Sequence, residues 1–203
     1  MTVATRLDLA AVADRRPTTR STPQRAAAVL VPVIERGAGT ELLFIRRSAD
    51  LEEHPGQIGF PGGGAERVDR DRRATAFREA REEVGLQAGE IATVGHLDDV
   101  QTVSGYTVTP VVARVPDRVY DPTDAEVAGT LRVSVAALTA PENHAYEPRE
   151  HPDHGTVPCH HFHVGDQPIW GATARMVVQL LTHGTAWTAP EPPGRPLGEL
   201  IGD

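Results

Sequence analysis

The sequence predicts an α/β protein in which a mixed β-sheet is sandwiched between helices. Three observations carry the prediction. Short runs rich in Val, Ile, Leu and Thr recur between turn signals, as strands do. Two longer segments, one ending at Gly85 and one starting at Gly171, place apolar residues at helical spacing. The chain has 203 residues, 39% of them hydrophobic and only 4% aromatic, which suffices for one domain with an aliphatic core.

Taken in order, residues 1–24 read as a short helix around Leu7–Ala13 and a Thr/Ser/Pro linker. Ala26–Ile34 is a dense aliphatic run and reads as a buried strand, and Glu41–Arg46 follows a glycine turn as its hairpin partner. A glycine-rich loop and a helix fill Gly56–Gly85. Ile91–Leu97 and Tyr106–Val115 read as strands, and an acidic loop over 121–127 leads to a further strand near Leu131–Val133. The stretch 141–153, rich in Pro, Glu and His, is expected to be a long loop. Pro158–Val164 reads as a strand and Gly171–Leu181 as a helix. The main domain is therefore placed at 25–187, with a proline-rich, irregular tail over 188–203.

The most informative stretch runs from Phe60 to Leu86. Gly62, Gly63 and Gly64 follow Pro61, so the chain turns sharply through conformations that only glycine adopts at low cost. In the helix behind it, Phe77, Ala80 and Val84 can face a core while Glu79, Glu82 and Glu83 project together outward. Gly85 is placed as a left-handed C-terminal cap. Arg78 lies four residues before Glu82 and can neutralise one acid. Hard divalent cations bound through oxygen would absorb the remaining charge.

These residues resemble the Nudix hydrolases, whose signature runs G-x5-E-x7-R-E-U-x-E-E-x-G-U with U aliphatic. Arg78 to Leu86 fills its second half, with Ala80 as a small U. The first half departs. Five residues after Gly63 comes Asp69, not Glu, and eight residues then separate it from Arg78. That expansion is similar to the coenzyme A pyrophosphatase branch, patterned LLTxR(S/A)-x3-R-x3-G-x3-FPGG. Here Leu43, Phe44, Ile45, Arg46, Arg47, Ser48, Gly56 and Phe60-Pro61-Gly62-Gly63 match at the right spacing, and Glu52 stands where the pattern has Arg. The run Ile169-Trp170-Gly171-Ala172-Thr173-Ala174 also resembles that branch.

The resemblance implies a Nudix α/β/α fold and a pyrophosphohydrolase dependent on Mg²⁺ or Mn²⁺. The implied reaction splits coenzyme A or acyl-coenzyme A into 3′,5′-ADP and 4′-phosphopantetheine or its acyl form. It puts metal ligation on Glu79 and Glu83, with Glu82 as third ligand or water orienter, and gives Arg78 the task of holding the glutamates. A backbone oxygen near Gly63 joins the metal, and Gly62 and Gly63 border the substrate. Glu126 is the loop carboxylate singled out as general base, and Arg47 the candidate for substrate phosphate. Two alternatives stay open: a hydrolase of ADP-ribose or another nucleoside diphosphate derivative, and a catalytically silent ligand-binding module.

Composition narrows the partners. All 20 basic residues are arginine, against 28 acids, for a net charge of −8. An acidic surface without lysine argues against nonspecific attraction to nucleic acid or membrane. Small-molecule substrate is thus the expected partner, and a homodimer stays open. Cys159 is the only cysteine, and the first twenty residues have no apolar stretch of secretory length, so a cytoplasmic location is expected. Cys159, His160, His161 and His163, with His151 and His154 nearby, invite a zinc reading. Neighbours on a strand point to opposite faces and no CxxC pair supports them, so they are read as ordinary strand and loop residues.

Overall fold

The structure is a computed structural model that describes residues 5–20, 24–37, 39–151 and 154–194. Its elements are α1 (Leu9–Ala13), β1 (Arg25–Arg36), β2 (Gly39–Arg47), β3 (Ile58–Gly59), β4 (Gly62–Gly64), α2 (Arg72–Val84), β5 (Ala92–His96), β6 (Val100–Gln101), β7 (Tyr106–Arg114), β8 (Val127–Ser134), α3 (Val135–Thr139), β9 (His144–His151), β10 (Gly155–Phe162), β11 (Ile169–Trp170) and α4 (Gly171–Gly184). The first eight strands form one mixed sheet with the path β3-β2-β1-β7-β5. Within it β1 runs parallel to β7 and antiparallel to β2, while β8 pairs with β2. A second sheet, ordered β11-β10-β9, is antiparallel.

Alternation along β1 divides the core in two. Ala28, Leu30 and Ile34 face α2, where Ala76, Ala80 and Val84 meet them with Val111 and Ala113 of β7. Alanines on the helix let its backbone lie close to the sheet. Ala27, Val31 and Val33 face the other way, toward Val177, Leu180 and Leu181 of α4 and Leu9 and Val12 of α1. A mixed sheet between helices is thus the observed architecture. The N-terminal helix is part of this packing: Asp8 caps it by accepting from Ala10 and Ala11 N–H, and Leu7 lies against Gly184.

Helix α2 ends as its sequence requires. Gly85 has φ 67°, its N–H bonds the Arg81 carbonyl at 3.1 Å, and Leu86 N–H reaches back to Ala80 at 3.2 Å. Asp71 caps the other end through Ala74 N–H at 2.7 Å. Two expectations need correction. Phe77 is only half-buried, and Ala76 takes the central contact with the sheet. Glu83 does not face outward: it is 6% exposed.

The stretch expected as a long loop over 141–153 contains β9, paired with β10 over its whole length. Pro148 faces Pro158 in that register. An antiparallel ladder alternates bonded and non-bonded pairs, and two facing prolines suit the second kind. Proline density read as a loop was therefore compatible with a strand. Residues 152 and 153 lie outside the described residues. Among the described residues no helix is long and apolar enough to cross a membrane.

Candidate active site

The glycines expected to form a sharp turn instead form strand β4, none of them at positive φ, and bring their backbone to the acid helix. It pairs with β1 in the register Ala28↔Gly63 and Val29↔Gly62. A Cβ on Gly62 would stand 2.5 Å from the Ala28 carbonyl oxygen, and one on Gly63 would stand 2.5 Å from Glu79 Oε1. Both positions require glycine for space. Gly62 N–H donates to Glu83 Oε2 at 2.9 Å, which ties the strand to the helix.

Arg78 is the centre of the acid face. Its Nε and Nη2 donate to the two carboxylate oxygens of Asp69 at 3.2 and 3.1 Å, and Nη2 also reaches the Gly64 carbonyl at 2.9 Å. Nη1 lies 2.9 Å from Glu79 and 3.1 Å from Glu82. The hydrogen bond from Arg78 holds the Asp69 carboxyl below its ordinary range. Asp69 therefore takes the arginine-anchoring position despite the extra residue in the loop.

The remaining acids differ in setting. Burial raises Glu79, and it pushes Glu83 up to about 8 against the opposing Gly62 N–H. Glu82 is half-exposed and shared between Arg78 and Arg81, the latter at 3.2 Å. Among the described residues no three His, Cys, Asp or Glu side chains gather closely enough to hold a metal ion. Glu79 and Glu83 nonetheless fit one as donors. Both are desolvated carboxylates beside the glycine backbone, a hard-oxygen set of the kind Mg²⁺ and Mn²⁺ take.

The loop before β8 is fixed to the helix end. Thr123 donates its hydroxyl to the Glu82 carbonyl at 2.6 Å and its N–H to that of Glu83 at 3.0 Å. Glu126 N–H bonds Asp124 Oδ1 at 2.7 Å, and its carbonyl accepts from Ser48 N–H at 2.7 Å. The loop is anchored on both sides, and the Glu126 side chain is exposed. Its Oε2 lies 4.0 Å from Arg47 Nη2. Arg47 Nε is buried without a hydrogen-bond partner among the described residues. Arg46 instead pairs with Asp166.

Arg47, Gly62, Gly63, Arg78, Glu79, Glu82, Glu83 and Glu126 all line one cavity of about 690 Å³. The same cavity is lined by the 101–104 turn, Arg149, Trp170 and Arg175, to which sequence reasoning gave no site role. The available signal for Arg175 was a lone cation on an otherwise apolar helix stretch, ATARMVVQLL. The histidines disperse instead of converging. His160 bonds His144 at 2.9 Å, His161 meets Arg149 at 3.0 Å, and His163 pairs with Glu147 at 3.1 Å.

Comparison with known proteins yields a consistent set. A family model described as NUDIX domain matches residues 24–162. A protein from Pectobacterium atrosepticum named Uncharacterized Nudix hydrolase NudL is 47% identical over 106 residues, covering 52% of this chain and 55% of that protein. Its namesake from Cronobacter sakazakii is 37% identical over 163 residues, covering 77% of this chain and 81% of that one. Among solved structures, a MutT/nudix family protein from Enterococcus faecalis is similar in fold, with TM-score 0.53 and 13% identity over 83% of this chain and 64% of its own.

Proposed function

Since the chain belongs to the NUDIX domain family, as a Nudix hydrolase, we propose that it hydrolyses the diphosphate of coenzyme A or acyl-coenzyme A. The products are 3′,5′-ADP and 4′-phosphopantetheine or its acyl form. The observation that supports this reading is the meeting of Glu79 and Glu83 with Gly62 and Gly63 at the wall of a cavity large enough for a nucleotide.

Mg²⁺ or Mn²⁺ held by Glu79 and Glu83, with Glu82 as third ligand or water orienter and a backbone oxygen near Gly63, would offset diphosphate charge and lower the pKa of a bound water. The chain's own residues do the rest. Arg78, anchored by Asp69, fixes the positions of Glu79 and Glu82. Arg47 lines the same cavity, and its partly exposed guanidinium can take a phosphate oxygen of the substrate. Glu126, exposed and facing the same cavity, takes the proton of the attacking water.

Glu52 favours a second reading. An acid where the coenzyme A pattern has arginine suits a less anionic substrate, ADP-ribose or another nucleoside diphosphate derivative. Side-by-side kcat/KM measurements on coenzyme A and ADP-ribose with Mg²⁺ and with Mn²⁺ decide between them. A higher value for ADP-ribose overturns the coenzyme A assignment, and no turnover of either leaves a ligand-binding module.

A further inference from the structure

Beside the cavity that holds the acid face lies a second one of about 410 Å³, within the size range of small-ligand sites. The two share Arg47, Gln57 and Trp170 in their walls, so they adjoin at the arginine assigned to the substrate phosphate. Apart from Arg47, no residue of this second lining has a role in the proposed reaction.

The chemistry of the second cavity differs from that of the first. Among the described residues no carboxylate lines it, and one of its two cations, Arg46, is already paired with Asp166. Ala49, Pro55, Ala128, Pro168 and Trp170 supply apolar walls. Arg149 lies over the Trp170 ring at 4.5 Å and His161 runs parallel to it at 6.0 Å, which fixes the indole. Two amides border the space, those of Gln57 and Gln167. Neither side chain makes a hydrogen bond among the described residues. Arg47 N–H donates to the Gln57 carbonyl at 2.9 Å, so that amide starts from a fixed backbone beside the phosphate-binding arginine. Gln167 immediately precedes Pro168, whose ring restricts the backbone at 167. An apolar slot without acids, bordered by groups that both donate and accept, suits a flat, uncharged heteroaromatic ring. A glutamine amide pairs with adenine in one plane, donating to N7 and accepting from the N6 amino group.

We propose that this second cavity is an adenine subsite, in which the base lies beside Trp170 and is read by the amides of Gln57 and Gln167. The inference rests on the reading of the acid face as a nucleoside diphosphate hydrolase site, with Arg47 at the junction holding a phosphate. Coenzyme A and ADP-ribose both carry adenine, so the subsite serves either substrate. It seats the nucleotide half beside β3 and leaves the first cavity to the half beyond the diphosphate.

The test compares 5′-AMP with ribose 5-phosphate, which lacks the base, by calorimetric titration of the full chain with Mg²⁺ present. Wild type is expected to bind 5′-AMP about tenfold or more tightly than ribose 5-phosphate. Gln167 and Ala128 border the second cavity and not the first, and both are exposed, so substitutions there spare the core. Gln167→Ala removes an amide, and Ala128→Phe fills the slot. Each should bring the ratio toward one while ribose 5-phosphate binds as in wild type. Equal affinities of the two ligands in wild type, or an unchanged ratio in either variant, overturn the subsite. Hydrolysis of coenzyme A and ADP-ribose is assayed separately. Its absence, with the ratio falling as expected in the variants, removes the proposed reaction and leaves the subsite standing.

Discussion

Arg78 grips Asp69 with two hydrogen bonds, from Nε and Nη2 to separate carboxylate oxygens, across nine residues of loop and helix. The Asp69 side chain is only 5% exposed. A carboxylate one methylene shorter than glutamate, reached through a loop one residue longer, still closes on the arginine. Loop length and side-chain length thus compensate, and the guanidinium remains free to hold Glu79 and Glu82 with its other edge.

Asp69→Asn should therefore act at a distance. The amide offers one acceptor and leaves the other guanidinium contact opposed by a donor. Expected effects are a Tm lower by several degrees and kcat/KM reduced about tenfold or more, with Asp69→Glu recovering part of both. Unchanged kinetics in a well-folded Asp69→Asn protein would show that Arg78 keeps its place without this anchor.

Glu83→Gln separates site from scaffold. The amide oxygen can still accept the Gly62 N–H while the desolvated negative charge is removed. Turnover should fall by about a thousandfold or more, while the metal-free Tm stays equal to wild type or rises. A large loss of Tm, or turnover near wild type at saturating Mg²⁺, would contradict the assignment of Glu83 to the metal.

The end of α2 was legible because its signals are local: Gly85 and Leu86 make their capping bonds within six residues. The burial of Glu83 was not, since helical spacing shows which residues share a face but not what covers it. The cover is β4, and its place depends on a register with β1 more than thirty residues away. Arg149 escaped notice for a related reason. It lies on β9, a strand whose prolines read as a loop, and it lines the same cavity as Arg175 of α4 only through tertiary packing. Local chemistry revealed the acid side of the cavity, and tertiary pairing built the rest of its wall.

The His144–His160 pair gives the protein a predictable acid limb. Their facing nitrogens are 2.9 Å apart, and burial takes His160 down to about 4 and His144 below its ordinary value. Between about pH 4 and 6.5 the folded chain binds fewer protons than the unfolded one, so this contribution to stability is complete above 6.5 and lost as pH falls toward 4. Its slope is at most about 1.4 kcal/mol per pH unit for each group. Urea melts across that range should show a shallower decline in His160→Gln than in wild type. Parallel declines would assign the acid limb to other groups.

The proton of the attacking water has two candidate acceptors on the acid side of the cavity, and their surroundings distinguish them. Glu82 is shared by Arg78 and Arg81, whose guanidiniums occupy both of its carboxylate oxygens. Glu126 has one cation at 4.0 Å, an exposed side chain, and a backbone fixed by Ser48 and by the Thr123 bonds to the end of α2. A base on a fixed backbone reaches its water by rotating its own side chain, with no loop motion required. Glu126→Gln should then lower kcat by about a hundredfold or more and change KM and metal affinity little. The competing role for Glu126 is to position Arg47, in which case the amide would loosen that arginine and raise KM while kcat holds. Kinetics of the variant across pH separate the two, because only loss of the base removes the acidic limb of the kcat profile, and a kcat within a few-fold of wild type returns the proton to Glu82.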